Sequence, residues 1–161
     1  MDKKASISRE ISLLVIGAII SASTALITNY LNEKREDRKS NVQKKIELNK
    51  QLSEDLGKRF FLTMELRKER RNPDSSLGRI ILLYKQSKEE WNLKYNSYEA
   101  LIKHYYGDSV KKNFKEIYEP LVIMGQIVEN NKFDSLFEAR FINLRNYNSV
   151  FVEKIYDLAD E

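Results

Sequence analysis

From Ile11 to Asn32 the chain runs for 22 residues without a charge, with Arg9–Glu10 just before and Glu33–Lys34–Arg35 just after. As a helix rising about 1.5 Å per residue, such a run is about 33 Å long, enough to cross a hydrocarbon core of about 30 Å. The pattern predicts a transmembrane helix over 11–32, a short extracytoplasmic leader over 1–10, and a small tethered domain behind. A cleavable secretory leader is the competing reading. Ile11–Ile20 has the length of its apolar core, and Ser21–Ala22–Ser23–Thr24–Ala25 would suit cleavage. Against it, Asp2 and Glu10 sit among the leading bases, and apolar character resumes at Ala25–Leu26–Ile27 and continues to Leu31.

The flanks set an orientation. Lys3, Lys4 and Arg9 precede the run, whereas Lys34, Arg35, Arg38, Lys39, Lys44 and Lys45 follow it. Excess Lys and Arg mark the cytoplasmic side, so the expectation is a single-pass protein of the inner (cytoplasmic) membrane, N-terminus out and C-terminal domain cytoplasmic. Residues 33–72 hold 13 bases against 8 acids and 73–161 hold 12 against 14, so the basic excess sits where anionic headgroups would attract it. The lipid bilayer is thus an expected partner, and direct nucleic-acid binding is not expected.

Gly occurs five times, Pro twice and Cys never. Few residues break helices, and disulfide and thiolate chemistry are excluded. Residues 33–72 read as a basic juxtamembrane stalk helix that places Val42, Ile46, Leu52, Leu56 and Phe60 on one face and ends before Pro73. Asp74–Ser75–Ser76 offers caps for a second helix with the stripe Ile80, Tyr84, Ser87, Trp91, Tyr95, Tyr98, Ile102 and Tyr105, stopped by Gly107. A third helix, capped by Asp108 or Ser109, buries Val110, Phe114, Ile117, Leu121, Met124 and Val128, with a kink expected at Pro120. A last helix, capped by Asp134 or Ser135, carries the seam Phe137, Phe141, Leu144, Asn148, Phe151, Ile155 and Leu158. The predicted fold class is all-α: a transmembrane helix, a long juxtamembrane helix and a cytoplasmic bundle of about four helices, the bundle proper over 73–161.

Within the apolar run, Gly17, Ser21 and Ala25 recur every four residues, and Ser21, Thr24, Thr28 and Asn32 form a weakly polar stripe. Three readings stand side by side: a packing seam between protomers, the wall of an aqueous lumen, and a plain tether. Catalytic residues are scarce. His104 is the sole histidine and lies among Lys103, Tyr105 and Tyr106, with no metal-ligand spacing and no phosphate-binding glycine loop anywhere. No metal, cofactor or enzyme activity is expected.

Arg145–Asn146, on the last helix, resembles the arginine–asparagine half of the motif in HEPN ribonuclease domains. The histidine of that motif is missing, since 150–152 read Val, Phe, Val. A single amino-terminal span joined to a small helical domain with this degenerate motif resembles the small membrane accessory proteins of type VI-B CRISPR systems. That resemblance implies a homo-oligomeric ring in the inner membrane, with a pore that acts in antiviral defence when an RNA-guided effector recognises its target. The functional expectation is therefore a non-enzymatic oligomeric pore or membrane-perturbing accessory protein. Two alternatives are a membrane-tethered HEPN-type ribonuclease, using Arg145 and Asn146 with His104 brought from another helix, and an adaptor that tethers a cytoplasmic partner.

Overall fold

The computed structural model describes the backbone over residues 3–73 and 76–159, and the side chains over 21–73 and 76–159. It is all-helical among the described residues, with α1 at Lys3–Arg71, α2 at Leu77–Glu129 and α3 at Phe137–Asp157. α1 runs for 69 residues because no proline interrupts it before Pro73. By Cα packing the chain divides into two compact units, Met1–Gln43 and Lys44–Glu161.

In the first unit nearly every described side chain is exposed, including Leu26, Ile27, Tyr30 and Leu31. The expected transmembrane helix is corrected: among the described residues no helix is long and apolar enough to cross a membrane. Ser21–Asn32, the part of that segment whose side chains are described, carries Asn29, Asn32 and the hydroxyls of Ser21, Ser23, Thr24, Thr28 and Tyr30 among its uncharged residues. The rest of the apolar run, Gly17 included, and the leader over 1–10 have side chains outside the described residues. The single-pass, inner-membrane localisation rested on that span and falls with it.

The second unit is a helical bundle in which neighbouring segments run antiparallel. Gly107 divides α2 into a first arm (77–106) and a second arm (108–129), and α1 meets the first arm through Lys58–Glu90 (2.7 Å), Lys94–Asp55 (2.8 Å) and the Tyr106 hydroxyl donating to Asn49 Oδ1 (2.9 Å). The two arms of α2 face each other through Tyr95 stacked on Tyr118 (4.1 Å) and Glu99 between Lys111 (2.8 Å) and Lys115 (3.0 Å). α3 returns along the second arm, with Phe114 against Phe151 (6.2 Å) and the Tyr147 hydroxyl donating to Glu116 (2.8 Å). It also closes on α1, where Asn49 Nδ2 donates to the Ile155 carbonyl (2.7 Å) and Phe60 meets Phe141 edge-on (5.5 Å).

The expectation of about four helices is corrected to three. The second and third expected helices are one element, because Gly107 leaves the helical region (φ 82, ψ −179) for a single residue and turns resume at once. That backbone region is open to glycine and little else, so the chain reverses without a loop. The break lies there and not at Pro120, whose backbone stays helical. α2 ends where Asn131 takes a left-handed conformation (φ 55) that asparagine tolerates. α3 starts after Asp134 accepts the backbone N–H of Leu136 (3.1 Å).

The core is continuous and aromatic-rich. Leu52, Leu56, Tyr84, Trp91, Phe114, Leu121 and Phe137 are almost fully buried. A polar layer crosses it. Arg59 lies under the Tyr84 ring (5.0 Å), and the Tyr84 hydroxyl occupies the space where a Cβ on Gly125 would stand. Burial raises the Tyr84 hydroxyl above its ordinary pKa. Arg59 Nη1 has no hydrogen-bond partner, which makes this layer a costly element held in place by the surrounding packing.

Candidate functional site

α1 and α3 pack closely at both ends of their contact. At one end Asn49 and Lys45 Nζ bond the carbonyls of Ile155 (2.7 Å) and Leu158 (3.1 Å). At the other, buried Arg67 pairs with Glu138 and lies over Phe137 (5.0 Å) and Phe133 (5.8 Å). Hydrogen bonding from Arg67 holds the Glu138 carboxyl below its usual range. Between these clamps the two helices leave a groove of about 260 Å³, lined by Gly57, Phe60, Phe61, Met64, Phe141, Arg145, Asn148 and Ser149.

The local sequence explains the opening. Phe60 and Phe61 are adjacent, so their side chains leave the helix about 100° apart, and the covered arc of α1 takes in Arg59 and Phe60 but not Phe61. Phe60 is buried against Phe141, while Phe61 stays 62% exposed. Gly57, one turn back, contributes no side chain, and a Cβ there would touch nothing within 4 Å. Ser149 is small on the facing helix. Arg145 stands exposed at the rim and makes no ion pair among the described residues. Asn148 is half-buried, and its Oδ1 is shielded from water without a partner. A buried acceptor left unpaired costs about 1–3 kcal/mol, so the seam residue expected to form a polar layer is unsatisfied in the isolated chain.

Two of the ribonuclease candidates separate here. Arg145 lines the groove, whereas Asn146 is exposed and outside it. His104 is also exposed and packs its ring edge-on against Tyr105 (4.8 Å), three residues from the Gly107 corner. The neighbouring Tyr106 meets Asn49, which bonds Ile155. Ile155 lies ten residues beyond Arg145 on α3, about 15 Å along the axis. The fold therefore does not bring His104 to Arg145. In the first unit, Ser21, Thr24, Ala25 and Thr28 share one exposed face of α1 with Asn29, and Asn32 is exposed as well. Among the described residues no group of three or more metal-ligating side chains converges.

Gly57, Phe61 and Met64 were not singled out by sequence reasoning. The Phe60–Phe61 pair was the available signal, since Phe61 falls outside the arc shared by Val42, Ile46, Leu52, Leu56 and Phe60. Comparison with protein-family models, with curated proteins and with solved structures gives no match.

Proposed function

We propose that the chain is a non-catalytic helical interaction protein whose bundle offers the α1–α3 groove as a docking surface for a helix of another polypeptide. The observation that carries this is the combination in one place of an exposed phenylalanine, an open apolar cavity over a glycine, and polar groups at its edge that lack partners. Helix-in-groove recognition uses apolar anchors one turn apart with polar groups on the rim, which is this layout. A buried aromatic anchor in a small pocket is also where interface energy concentrates. The ribonuclease reading has its arginine and histidine in different layers of the bundle. The pore reading has lost the span on which it depended.

A photoreactive phenylalanine analogue at position 61, with the same label at Leu93 as control, tests the proposal in the cell that makes the protein. Leu93 is 85% exposed and lies on α2, away from the groove. A discrete protein adduct from 61, absent from 93 and weakened by Arg145→Glu, is the expected result. Equal labelling at both positions, or none at either, would defeat the docking reading.

A further inference from the structure

Resting on the docking reading, we propose that the occupant of the groove is an acidic amphipathic helix of another protein. It sets an apolar anchor between Phe61 and Ile142 and, one turn along, a carboxylate against Arg145. The Phe60–Phe141 contact fixes the register of α1 against α3, so Phe61 and Ile142 stand at one level on opposite edges. Ile142 precedes the groove-lining Ser149 by seven residues, two turns that return to within about 20° of the same face. Both Phe61 and Ile142 are more than half exposed. One turn along, where Arg145 stands on α3, the facing residue of α1 is Gly57, which has open space before it. A helix can therefore come close to the arginine, as backbones do wherever small residues line the contact.

Charge selects the chemistry of the occupant. Among the described residues that line the groove, Arg145 alone is charged. The α3 residues one turn from it, Phe141, Ile142, Asn148 and Ser149, include no acid. Nearby carboxylates are accounted for elsewhere. Glu138 is held by Arg67, and Glu153 lies eight residues past Arg145, about 12 Å along α3. Beyond Phe61, on the side of α1 away from α3, Glu54 and Glu65 have Lys50 and Lys68 one turn away, so that side is balanced on its own helix. The unmatched charge is the arginine, and its complement is a carboxylate. A nucleic acid or an anionic lipid surface engages several cations together, and this groove has one.

Asn148 adds a second requirement. It follows Arg145 by one turn, and its Oδ1 is shielded from water without a partner. Inside a helix the backbone N–H groups are already bonded, so the occupant meets this acceptor with a side-chain donor such as an amide or a hydroxyl. The recognition face is then anchor, carboxylate and donor at one-turn intervals, over about 10 Å of α3 between Ile142 and Ser149.

The test pans phage displaying randomised helical peptides of about 15 residues against the immobilised full-length protein. Phe, Leu or Met should be enriched at one position, and Asp or Glu several-fold at a position three or four residues away. Panning on Arg145→Glu should exchange that acid for Lys or Arg, and Gly57→Phe, which fills the groove, should remove the apolar preference. For a selected peptide, changing its carboxylate to the amide should weaken binding to the unaltered protein about fivefold, as one rim ion pair supplies, and should not weaken binding to Arg145→Gln. Position 145 is exposed and position 57 faces open space, and circular dichroism confirms folding of each variant. No acid preference on the unaltered protein, or one that survives Arg145→Glu, overturns the inference. If the apolar preference alone remains, the groove is still a docking surface and its partner has another chemistry. An adduct from position 61 at twice the mass of the chain names a second copy as occupant and also overturns the inference. If neither preference emerges and position 61 gives no adduct, the docking reading falls as well.

Discussion

Gly125→Ala puts the polar layer to a quantitative test, because helix propensity and packing push in opposite directions. Replacing an interior helical glycine by alanine stabilises by about 1 kcal/mol when the methyl group has room. At position 125 it has none: the new Cβ would collide with the Tyr84 hydroxyl, with Tyr84 Cζ at 3.6 Å and Arg59 Nη2 at 3.8 Å. Tyr84 is 1% exposed, so its ring has no free direction in which to move. Overpacking of this kind costs about 1–3 kcal/mol. Displacing the ring also weakens its contact with the Arg59 guanidinium, worth about 2 kcal/mol for a desolvated pair. Against the propensity gain, the expected net loss is about 2 kcal/mol, a fall of about 4–8 °C in Tm for a chain of this size. Tyr84→Phe removes the colliding oxygen, so the double variant should recover at least half of the loss. Gly57→Ala is the control with open space and should gain about 0.5–1 kcal/mol. Thermal unfolding by circular dichroism reads all four proteins. If Gly125→Ala stabilises as Gly57→Ala does, the reasoning about this layer is refuted.

Three further outcomes are expected. Asn49→Ala strands the Ile155 carbonyl and the Tyr106 hydroxyl at the junction of all three helices, and urea denaturation should show a loss of about 2–4 kcal/mol. Glu99, held down by hydrogen bonds from Lys111 and Lys115, and Glu138, held down by Arg67, have carboxyls lowered in the folded state. The stability they add is present above the ordinary carboxylate pKa and is lost as pH falls through their lower folded values, so Glu99→Gln/Glu138→Gln should flatten that acid limb in urea titrations. Burial raises the Tyr84, Tyr95, Tyr98 and Tyr106 hydroxyls, Tyr95 to about 12, whereas the hydrogen bond to Glu116 is the first cause at Tyr147. Their contribution is complete below pH 10, the ordinary tyrosine value, and is lost as pH rises through the folded values. Absorbance at the phenolate band should therefore show a delayed, cooperative step above that pH, and early titration of all nine tyrosines would contradict it.

Much of the bundle was legible in the spacing of apolar residues. Every member of the stripe Val110, Phe114, Ile117, Leu121, Met124 and Val128 is buried, as are Phe137, Phe141, Leu144, Phe151 and Ile155 on α3. A period of 3.6 reports which face of a helix is covered, and these segments have one covered face each. Gly107 reads as a stop, but sequence does not distinguish a glycine that ends a helix from one that folds a helix back without a loop. Arg59 and Arg67 are charged, and composition assigns them to the surface. They lie inside because Tyr84 in one case, and Phe137 with Glu138 in the other, receive them. The transmembrane expectation came from counting uncharged positions, which does not separate apolar side chains from uncharged polar ones such as Ser21, Ser23, Thr24, Thr28, Asn29 and Asn32; among the described residues no helix is long and apolar enough to cross a membrane. The groove was hidden for a different reason. It exists only once α1 and α3 have chosen a register, since that choice decides which flank of each helix is left outside and whether Phe61 falls beside a vacancy.

The corner at Gly107 carries one more consequence. A residue with a Cβ meets no steric block from its surroundings there, yet it cannot comfortably keep that backbone conformation. The cheapest relief is to straighten α2 into one uninterrupted rod, which pulls the second arm and α3 away from the first arm and α1. Each half then lacks the complement that another straightened molecule can supply, so a bulky substitution at this position should yield entangled pairs by domain swapping instead of unfolded chains. One missing methyl group thereby keeps the bundle's four faces within a single polypeptide.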